Sequence, residues 1–285
     1  MLTNKSGLPD ALVRAVMSDT YSKGDSDYSV TELLKSPRQV ALAKIHKDSL
    51  TEDVADRIWS LYGQVAHLIL ERANLKDISE TRYFGSFLNK RISAQIDHMT
   101  LDGSILTDWK FVTAWKFKVG KPVEPEWESQ LNMQLELLRM NGLDAKQIQI
   151  IGLLRDWSKL EAERVPDYPK KGVIVAPVEI WPRKRTVAFI EERITLHEAT
   201  RGVRKEDLPL CSDSERWAKP ACWAVMKGER AIRYGVCFSE EEALSKQGLN
   251  PGTRVEFRRG ESVKCRAYCN VSEFCSQYKT IKESL

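Results

Sequence analysis

The sequence predicts an α/β fold followed by a small cysteine-bearing extension, and three observations carry that prediction. Residues 91–112 (RISAQIDHMTLDGSILTDWKFV) read as two strands joined by a tight turn. Two long segments with apolar residues at helical spacing, 51–74 and 126–141, lie on either side of that hairpin. All six cysteines fall after residue 210, where the texture of the chain also changes.

Residues 8–18 (LPDALVRAVMS) have the pattern of a short amphipathic helix, and a polar link over 19–27 follows. Ser29 stands three positions before Glu32, the pattern in which a hydroxyl caps a helix start. Leu33 and Leu34 give that helix its apolar side, and Ser36-Pro37 breaks it before a second short helix over 38–46. In 51–74 the residues Val54, Ile58, Leu61, Val65, Leu68 and Ile69 recur at helical spacing and predict a buried side. Gly63, His67 and Glu71 stand four apart on one stripe of it. A glycine inside a helix costs about 1 kcal/mol, so Gly63 predicts close approach of another element. Taken alone, His67 reads as a core-edge histidine and Glu71 as a solvated charge.

A strand is expected over 81–88, ahead of the hairpin. There Ile92, Ala94 and Ile96 alternate with Ser93, Gln95 and Asp97, the two-residue period of a half-buried strand. Asp102-Gly103 centres the turn. On the second strand Leu106, Asp108 and Lys110 face one way, so Asp108 and Lys110 project together, about 6.5–7 Å apart. Alone, such a pair reads as a surface ion pair worth under ~1 kcal/mol. Residues 118–126, with Pro122 and Pro125, form a loop. Residues 126–141 form a helix ended by Asn141-Gly142, with Trp127, Leu131, Leu135 and Leu138 inward and Gln130 and Gln134 on a neighbouring face. Strands over 146–154 and 172–181 and a helix over 186–200 complete a first domain, 1–205. The second, 206–285, reads as strand, strand, helix and strand within 223–257, closed by the run CRAYCNVSEFC at 265–275.

The composition, 42% apolar and 29% charged, is that of a soluble globular protein. No run of eighteen apolar residues occurs, so no membrane span is expected, and the opening residues lack the pattern of a secretion signal. A cytoplasmic protein is expected. A net charge of +4 allows nucleic acid to bind through a local patch without arguing for it. Cysteines in such a compartment point to metal or spare thiols rather than disulfides.

Along the chain the polar groups run Gly63-x3-His67-x3-Glu71, then Asp97, then Asp108-x-Lys110, then Gln130-x3-Gln134. Helix, strand, strand, helix in that order resembles the PD-(D/E)XK nucleases, and among them the RecB-like and phage exonuclease types, over residues 28–200. The opening Tyr28-Ser-Val-Thr-Glu-Leu-Leu-Lys-Ser-Pro-Arg38 is similar to the segment before the first motif of those enzymes. The resemblance implies a restriction-endonuclease-like core, a central mixed sheet flanked by helices. It implies that Asp97 and Asp108 bind Mg²⁺ or Mn²⁺ through oxygen, that His67 adds an imidazole, and that Glu71 is a further carboxylate ligand or site neighbour. Lys110 would orient the attacking water and stabilise charge on the scissile phosphate, and Gln130 would touch DNA or a water beside it. Asp108 stands where Glu is commoner, and Gln134, a DNA contact by this reading, stands where many relatives have Tyr.

Cys265-x3-Cys269-x5-Cys275 is a tight cluster that Cys211 can close. Four thiolates can hold a 4Fe–4S cluster or Zn²⁺. Several RecB-like nucleases carry a similar C-terminal triplet with one distant cysteine upstream of the core, which implies iron–sulfur. No cysteine precedes Cys211 here, so the clasp must be rearranged. Cys222 and Cys237 have no partner spacing and read as buried thiols. Trp115-Lys116-Phe117-Lys118, Trp181-Pro-Arg-Lys-Arg185 and Arg254-Val-Glu-Phe-Arg-Arg259 read either as solvated faces or as phosphate tracks with rings for stacking. Lys116 and Lys118, close after Lys110, are the expected DNA contacts among them.

The expectation is therefore a metal-dependent deoxyribonuclease, an exonuclease acting on double-stranded DNA ends or single strands. A bacterial or phage-infected cell and a recombination partner protein follow from the resemblance. The competing classes are a non-catalytic nucleic-acid-binding subunit and a zinc-stabilised interaction scaffold.

Overall fold

The computed structural model describes residues 2–18, 22–73, 76–118, 120 and 123–283. The start of the polar link after residue 18, the expected helix end at residue 74 and Pro122 of the expected loop lie outside the described residues. The chain divides into two compact units, Met1–Lys35 with Thr51–Ala199, and Ser36–Leu50 with Thr200–Leu285.

The first unit opens with β1 (Leu2–Thr3), α1 (Asp10–Met17), β2 (Tyr28–Ser29) and α2 (Val30–Leu34). Ser29 caps α2 as its spacing predicts, accepting from the Glu32 N–H. The chain leaves for the second unit through α3 (Pro37–Ile45) and returns at β3 (Glu52–Asp53), followed by a 3-10 turn over 54–57 and α4 (Ile58–Ala73). Then come β4 (Ile78–Phe87), β5 (Lys90–Met99), β6 (Ile105–Val112), α5 (Pro125–Met140), β7 (Gln147–Leu154), α6 (Lys159–Arg164), β8 (Val173–Val178) and α7 (Arg183–Glu198).

The central sheet is mixed and flanked by helices. Its order is β2-β5-β6-β7-β8, with β4 pairing β5; β6 and β7 run parallel, and β4–β5 and β7–β8 antiparallel. Leu131, Met133, Leu135, Leu137 and Leu138 of α5 join Ile92, Ala94, Ile96, Leu106, Ile148 and Ile150 of the sheet in one core. Burying side chains of this size stabilises by about 1.5–3 kcal/mol each.

Two departures from strand regularity position the site. β4 pairs with β5 along one edge in constant register, Ser79 opposite His98 and Thr81 opposite Ile96, which sets Glu80 against Asp97. On its other edge β5 is shared: β2 pairs at Ile92 and Ser93, and β6 only at His98 and Met99. Between them β5 and β6 splay apart as a fork. Ile92, Ala94, Ile96 and also Met99 belong to the core, so the alternation slips by one position at Asp97. Opposite it, Glu80 takes a φ of 47°, a left-handed conformation that costs a residue with a side chain about 1–3 kcal/mol.

α4 overturns an expectation. It begins at Ile58 rather than near residue 51, and none of its residues is fully buried, whereas Val54 just before it is. Val65, Leu68 and Ile69 are about half exposed. Their spacing is that of a core helix, but among the described residues no element covers them fully.

In the second unit α3 sets Ala41 and Leu42 against Leu208, Val271 and Cys275. This packing is why 36–50 joins the C-terminal extension, and why the unit boundary falls at 199/200 rather than 205/206. After the short β9 (Ala218–Lys219), β10 (Cys222–Lys227) and β11 (Arg230–Cys237) form the expected hairpin. Next come α8 (Glu240–Gly248) and β12 (Arg254–Arg258), which pairs β10 antiparallel. Val225, Cys237 and Ala243 are its small core, so Cys237 is the buried thiol its isolation predicts. The unit closes with β13 (Glu261–Ser262), α9 (Val263–Ala267) and α10 (Ser276–Glu283).

Candidate active site

At the fork, the ladder positions that β6 vacates are filled by side chains. Asp97 Oδ2 accepts from the Trp109 N–H at 2.9 Å. One turn of α5 further on, Gln134 Nε2 donates to the Gln95 carbonyl at 3.2 Å. An unpaired backbone carbonyl in a buried gap costs about 1–3 kcal/mol, so Gln134 is required where it stands. It is 3% exposed. It lines the site from beneath and fixes β5, which corrects its reading as a DNA contact.

His67 reaches over the fork from α4. Its Nδ1 lies 2.8 Å from Glu80 Oε1 and its Nε2 3.9 Å from Asp97 Oδ2. His67, Glu80 and Asp97 each offer a ligand atom, and these atoms lie within 4.8 Å of one another. Among the described residues they are the one group of three or more His, Cys, Asp or Glu side chains gathered so closely. Glu80 is held in turn: Gln95 Nε2 donates to its Oε2 at 2.6 Å, and Arg82 donates to Gln95 Oε1 at 2.8 Å.

Asp108 and Lys110 project together as the strand period predicts, but they are not on the surface. Asp108 is 1% exposed. Lys110 Nζ is 2.7 Å from Asp108 Oδ2 and donates to Gln130 Oε1 at 3.2 Å, while Gln130 Nε2 donates to Asp108 Oδ1 at 2.7 Å. The three side chains close a triangle. Within it Asp108 Oδ2 has an ion pair and no well-directed hydrogen bond.

The electrostatics follow from crowding acids in a buried place. Burial, and then the Asp108 charge, push the Asp97 carboxyl up to about 7. The hydrogen bond that His67 donates to Glu80 raises the imidazole, against the opposing effect of burial. Burial works to lower Lys110, but the attraction of Asp108, helped by Asp97, outweighs it and raises the ammonium. The carboxylate oxygens of Glu80 and Asp97 beside the His67 imidazole are a donor set that could hold a hard divalent cation.

A cavity of about 850 Å³ opens over these groups, lined among others by Gly63, His67, Glu71, Glu80, Asp97 and Gln130. Glu71 faces this space but is not in the gathered group, where Glu80 stands instead. Gly63 corrects a second reading, since a Cβ built there meets nothing within 4 Å. The position borders open cavity rather than a close neighbour. The expected DNA contacts Lys116 and Lys118 are half exposed and ion-paired, with Glu124 at 3.2 Å and Asp167 at 2.6 Å. Phe117, between them, packs onto Gly152, where a Cβ would stand 2.2 Å from its ring, and is no stacking platform.

Sequence reasoning missed Glu80. A signal for it exists: Leu88 and Asn89 both have positive φ and form the turn between β4 and β5. Counting outward from that turn sets Glu80 opposite Asp97.

The second unit gathers the other constellation. The thiol of Cys265 is pushed up to about 11, by burial first and then by Cys269, Cys211 and Cys275. Burial also raises Cys211 and Cys269. No three of these sulfurs lie within 4.8 Å of one another, whereas a zinc ion with bonds of about 2.3 Å draws four sulfurs to about 3.8 Å. The segment before the core, where the resemblance sets the upstream cysteine, brings Ser36 instead, its Oγ 3.0 Å from Cys211 Sγ. Arg38 is 1% exposed. It donates to Cys275 Sγ at 3.3 Å, the Leu208 carbonyl at 2.6 Å and Ser276 Oγ at 2.8 Å. Its hydrogen-bond partners here include no carboxylate.

Neither a protein-family model nor a curated protein sequence matches the chain. Among solved structures it is similar to the protein SSO0001, with 17% identity, a TM-score of 0.45, and 65% of this chain and 84% of that one covered. It is also similar to a candidate exonuclease from Eubacterium rectale, with 12% identity, a TM-score of 0.33 and 78% of each chain covered. Both likenesses are distant, and the functional reading rests on the side chains of the fork.

Proposed function

We propose that the chain is a divalent-metal-dependent DNA nuclease of the PD-(D/E)XK type, hydrolysing phosphodiesters at DNA ends or in single strands. The observation that carries this reading is the convergence of His67, Glu80 and Asp97, which line one open cavity with Gln130, beside the Asp108–Lys110–Gln130 triangle. His67, Glu80 and Asp97 would hold Mg²⁺ or Mn²⁺, with Asp108 at its margin. The bound ion supplies Lewis acidity and a water of lowered pKa.

The chain's own groups do the rest. Lys110, held protonated by Asp108, presents a positive charge to the phosphate oxygens and stabilises the charge that grows on them. Gln130 binds Asp108 and Lys110 at once and fixes their relative position. Glu80 accepts the His67 Nδ1 proton, which selects the tautomer that leaves Nε2 free to ligate.

In the second unit Cys211, Cys265, Cys269 and Cys275 would hold a 4Fe–4S cluster. The resemblance, rather than the spacing of the sulfurs, favours iron–sulfur over zinc. The role we assign it is structural, since the terminal segment around these cysteines has little core of its own. A place in bacterial or phage recombination, with a partner protein, belongs to the same reading by resemblance. No helix among the described residues is long and apolar enough to cross a membrane.

The test is Mn²⁺-dependent release of label from end-labelled linear DNA. Asp108→Ala and Lys110→Ala should each lower the rate by about 10²–10³-fold, the size expected on losing a charge-stabilising group. Unchanged cleavage by both variants would sink the assignment. DNA binding without cleavage by the unmodified protein would point to a non-catalytic subunit.

A further inference from the structure

The proposed hydrolysis leaves one surface unexplained. α4 carries His67, yet away from the fork it exposes Trp59 and Tyr62, 56% and 48% accessible. The two are three residues apart, on one side of the helix. Their rings meet edge to face, 5.6 Å between centroids at 73°, and Tyr62 meets Phe111 in the same way at 6.4 Å and 76°. The Arg155 guanidinium lies 3.9 Å over the Trp59 ring. Phe111 follows Lys110 on β6 and so projects from the opposite face, where it meets Tyr62 of α4. From Trp59 to His67 is about 12 Å along the helix.

We propose that Trp59, Tyr62, Phe111 and Arg155 form a stacking platform for the bases of single-stranded DNA, whose backbone continues along α4 toward His67 and Asp97 at the fork. The direction of that strand rests on the hydrolase reading; the platform itself does not. Three features favour this occupant. Trp59 and Tyr62 are each about half exposed, so part of each ring is open to a flat base, and every base offers a face to stack whatever its sequence. A guanidinium laid flat on tryptophan adds a positive charge that phosphates complement and that an apolar protein surface does not. A duplex keeps its bases stacked on each other, so the same rings discriminate in favour of an opened strand.

Binding of a fluorescein-labelled oligothymidylate, measured by anisotropy in EDTA so that no cleavage occurs, tests the proposal. Trp59→Ala and Tyr62→Ala should each weaken binding about tenfold, within the range known for one lost base–ring stack. Trp59→Phe should retain most of the affinity, a control that keeps its ring. Affinity for a blunt duplex should change little. Single-strand affinity unaltered by the paired Trp59→Ala, Tyr62→Ala change would overturn the proposal. So would a concentration-dependent dimer of the unmodified protein that this pair of changes dissolves, since the face would then belong to a second copy. The two readings fail separately. Strand binding that needs Trp59, with cleavage indifferent to Asp108→Ala, refutes the hydrolase and keeps the platform. Cleavage that needs Asp108, with single strands cut at an unchanged KM in the Trp59 and Tyr62 variants, does the reverse.

Discussion

Replacing Arg38 by methionine keeps most of the side chain's volume and removes its charge and its three donors. The loss is large because the site is closed: Arg38 is 1% exposed, and its partners include the Leu208 carbonyl and Ser276 Oγ. Each buried acceptor left unpartnered costs about 1–3 kcal/mol. With those two acceptors orphaned, the loss comes to about 2–6 kcal/mol in all. The second unit, of roughly 100 residues, has about 5–15 kcal/mol of stability to lose. Arg38→Met should therefore lower the melting temperature of that unit by roughly 15–25 °C, followed through the fluorescence of Trp217 and Trp223 during thermal or urea unfolding. Arg38→Lys, which keeps the charge but not the planar fork, should fall between. If Arg38→Met melts within a degree or two of the unmodified protein, the guanidinium is not what ties α3 to Cys275 and Ser276.

Three other outcomes are expected. A carboxyl held above its ordinary value of 3.8 contributes stability that is complete below that value and lost as pH rises through the folded value, here about 7 for Asp97. His67, raised by Glu80, adds a loss in the same direction. The metal-free protein should thus melt lower at pH 8 than at pH 5.5, and Asp97→Asn should melt above it at pH 8; a stability flat across this range would refute the charge crowding at the fork. Glu80→Gln should weaken Mn²⁺ binding about 10–100-fold by calorimetry, and Glu71→Gln much less, whereas the reverse order would restore Glu71 as the ligand. Gly63→Ala should stabilise α4 by up to about 1 kcal/mol in denaturant unfolding, since nothing stands within 4 Å of the new methyl group. If cleavage also falls, the glycine keeps space for substrate.

The sheet and its helices were legible because their periods are clean. Ile92, Ala94 and Ile96 alternate, Asp102-Gly103 marks the turn, and Leu131, Leu135 and Leu138 recur on α5. The grouping of Asp97, Asp108, Lys110, Gln130 and His67 came from the resemblance rather than from spacing alone, and the structure brings these side chains together at the fork. What could not be read is what depends on where strands stop pairing. The fork between β5 and β6 makes Gln134 a surrogate ladder partner, and the left-handed turn of the backbone at Glu80 aims that carboxylate at His67; neither has a periodic trace. α4 misled for a different reason. Apolar spacing reports that a face is to be covered, and it cannot say whether a protein element or a bound strand does the covering. Arg38 was visible only as part of a resemblance, because its partners lie some 170 to 240 positions further along the chain.

The second unit is assembled from two stretches separated by most of the first. During synthesis α3 leaves the ribosome early, but Leu208, Val271 and Cys275, against which Ala41 and Leu42 pack, are made last. Its apolar side must therefore wait, unsatisfied, while the intervening sheet forms, since domains generally fold in order of emergence. A shortened gene product ending near residue 199 would leave that helix stranded and aggregation-prone, so excising the extension cleanly requires a short bridge in place of 36–50 as well.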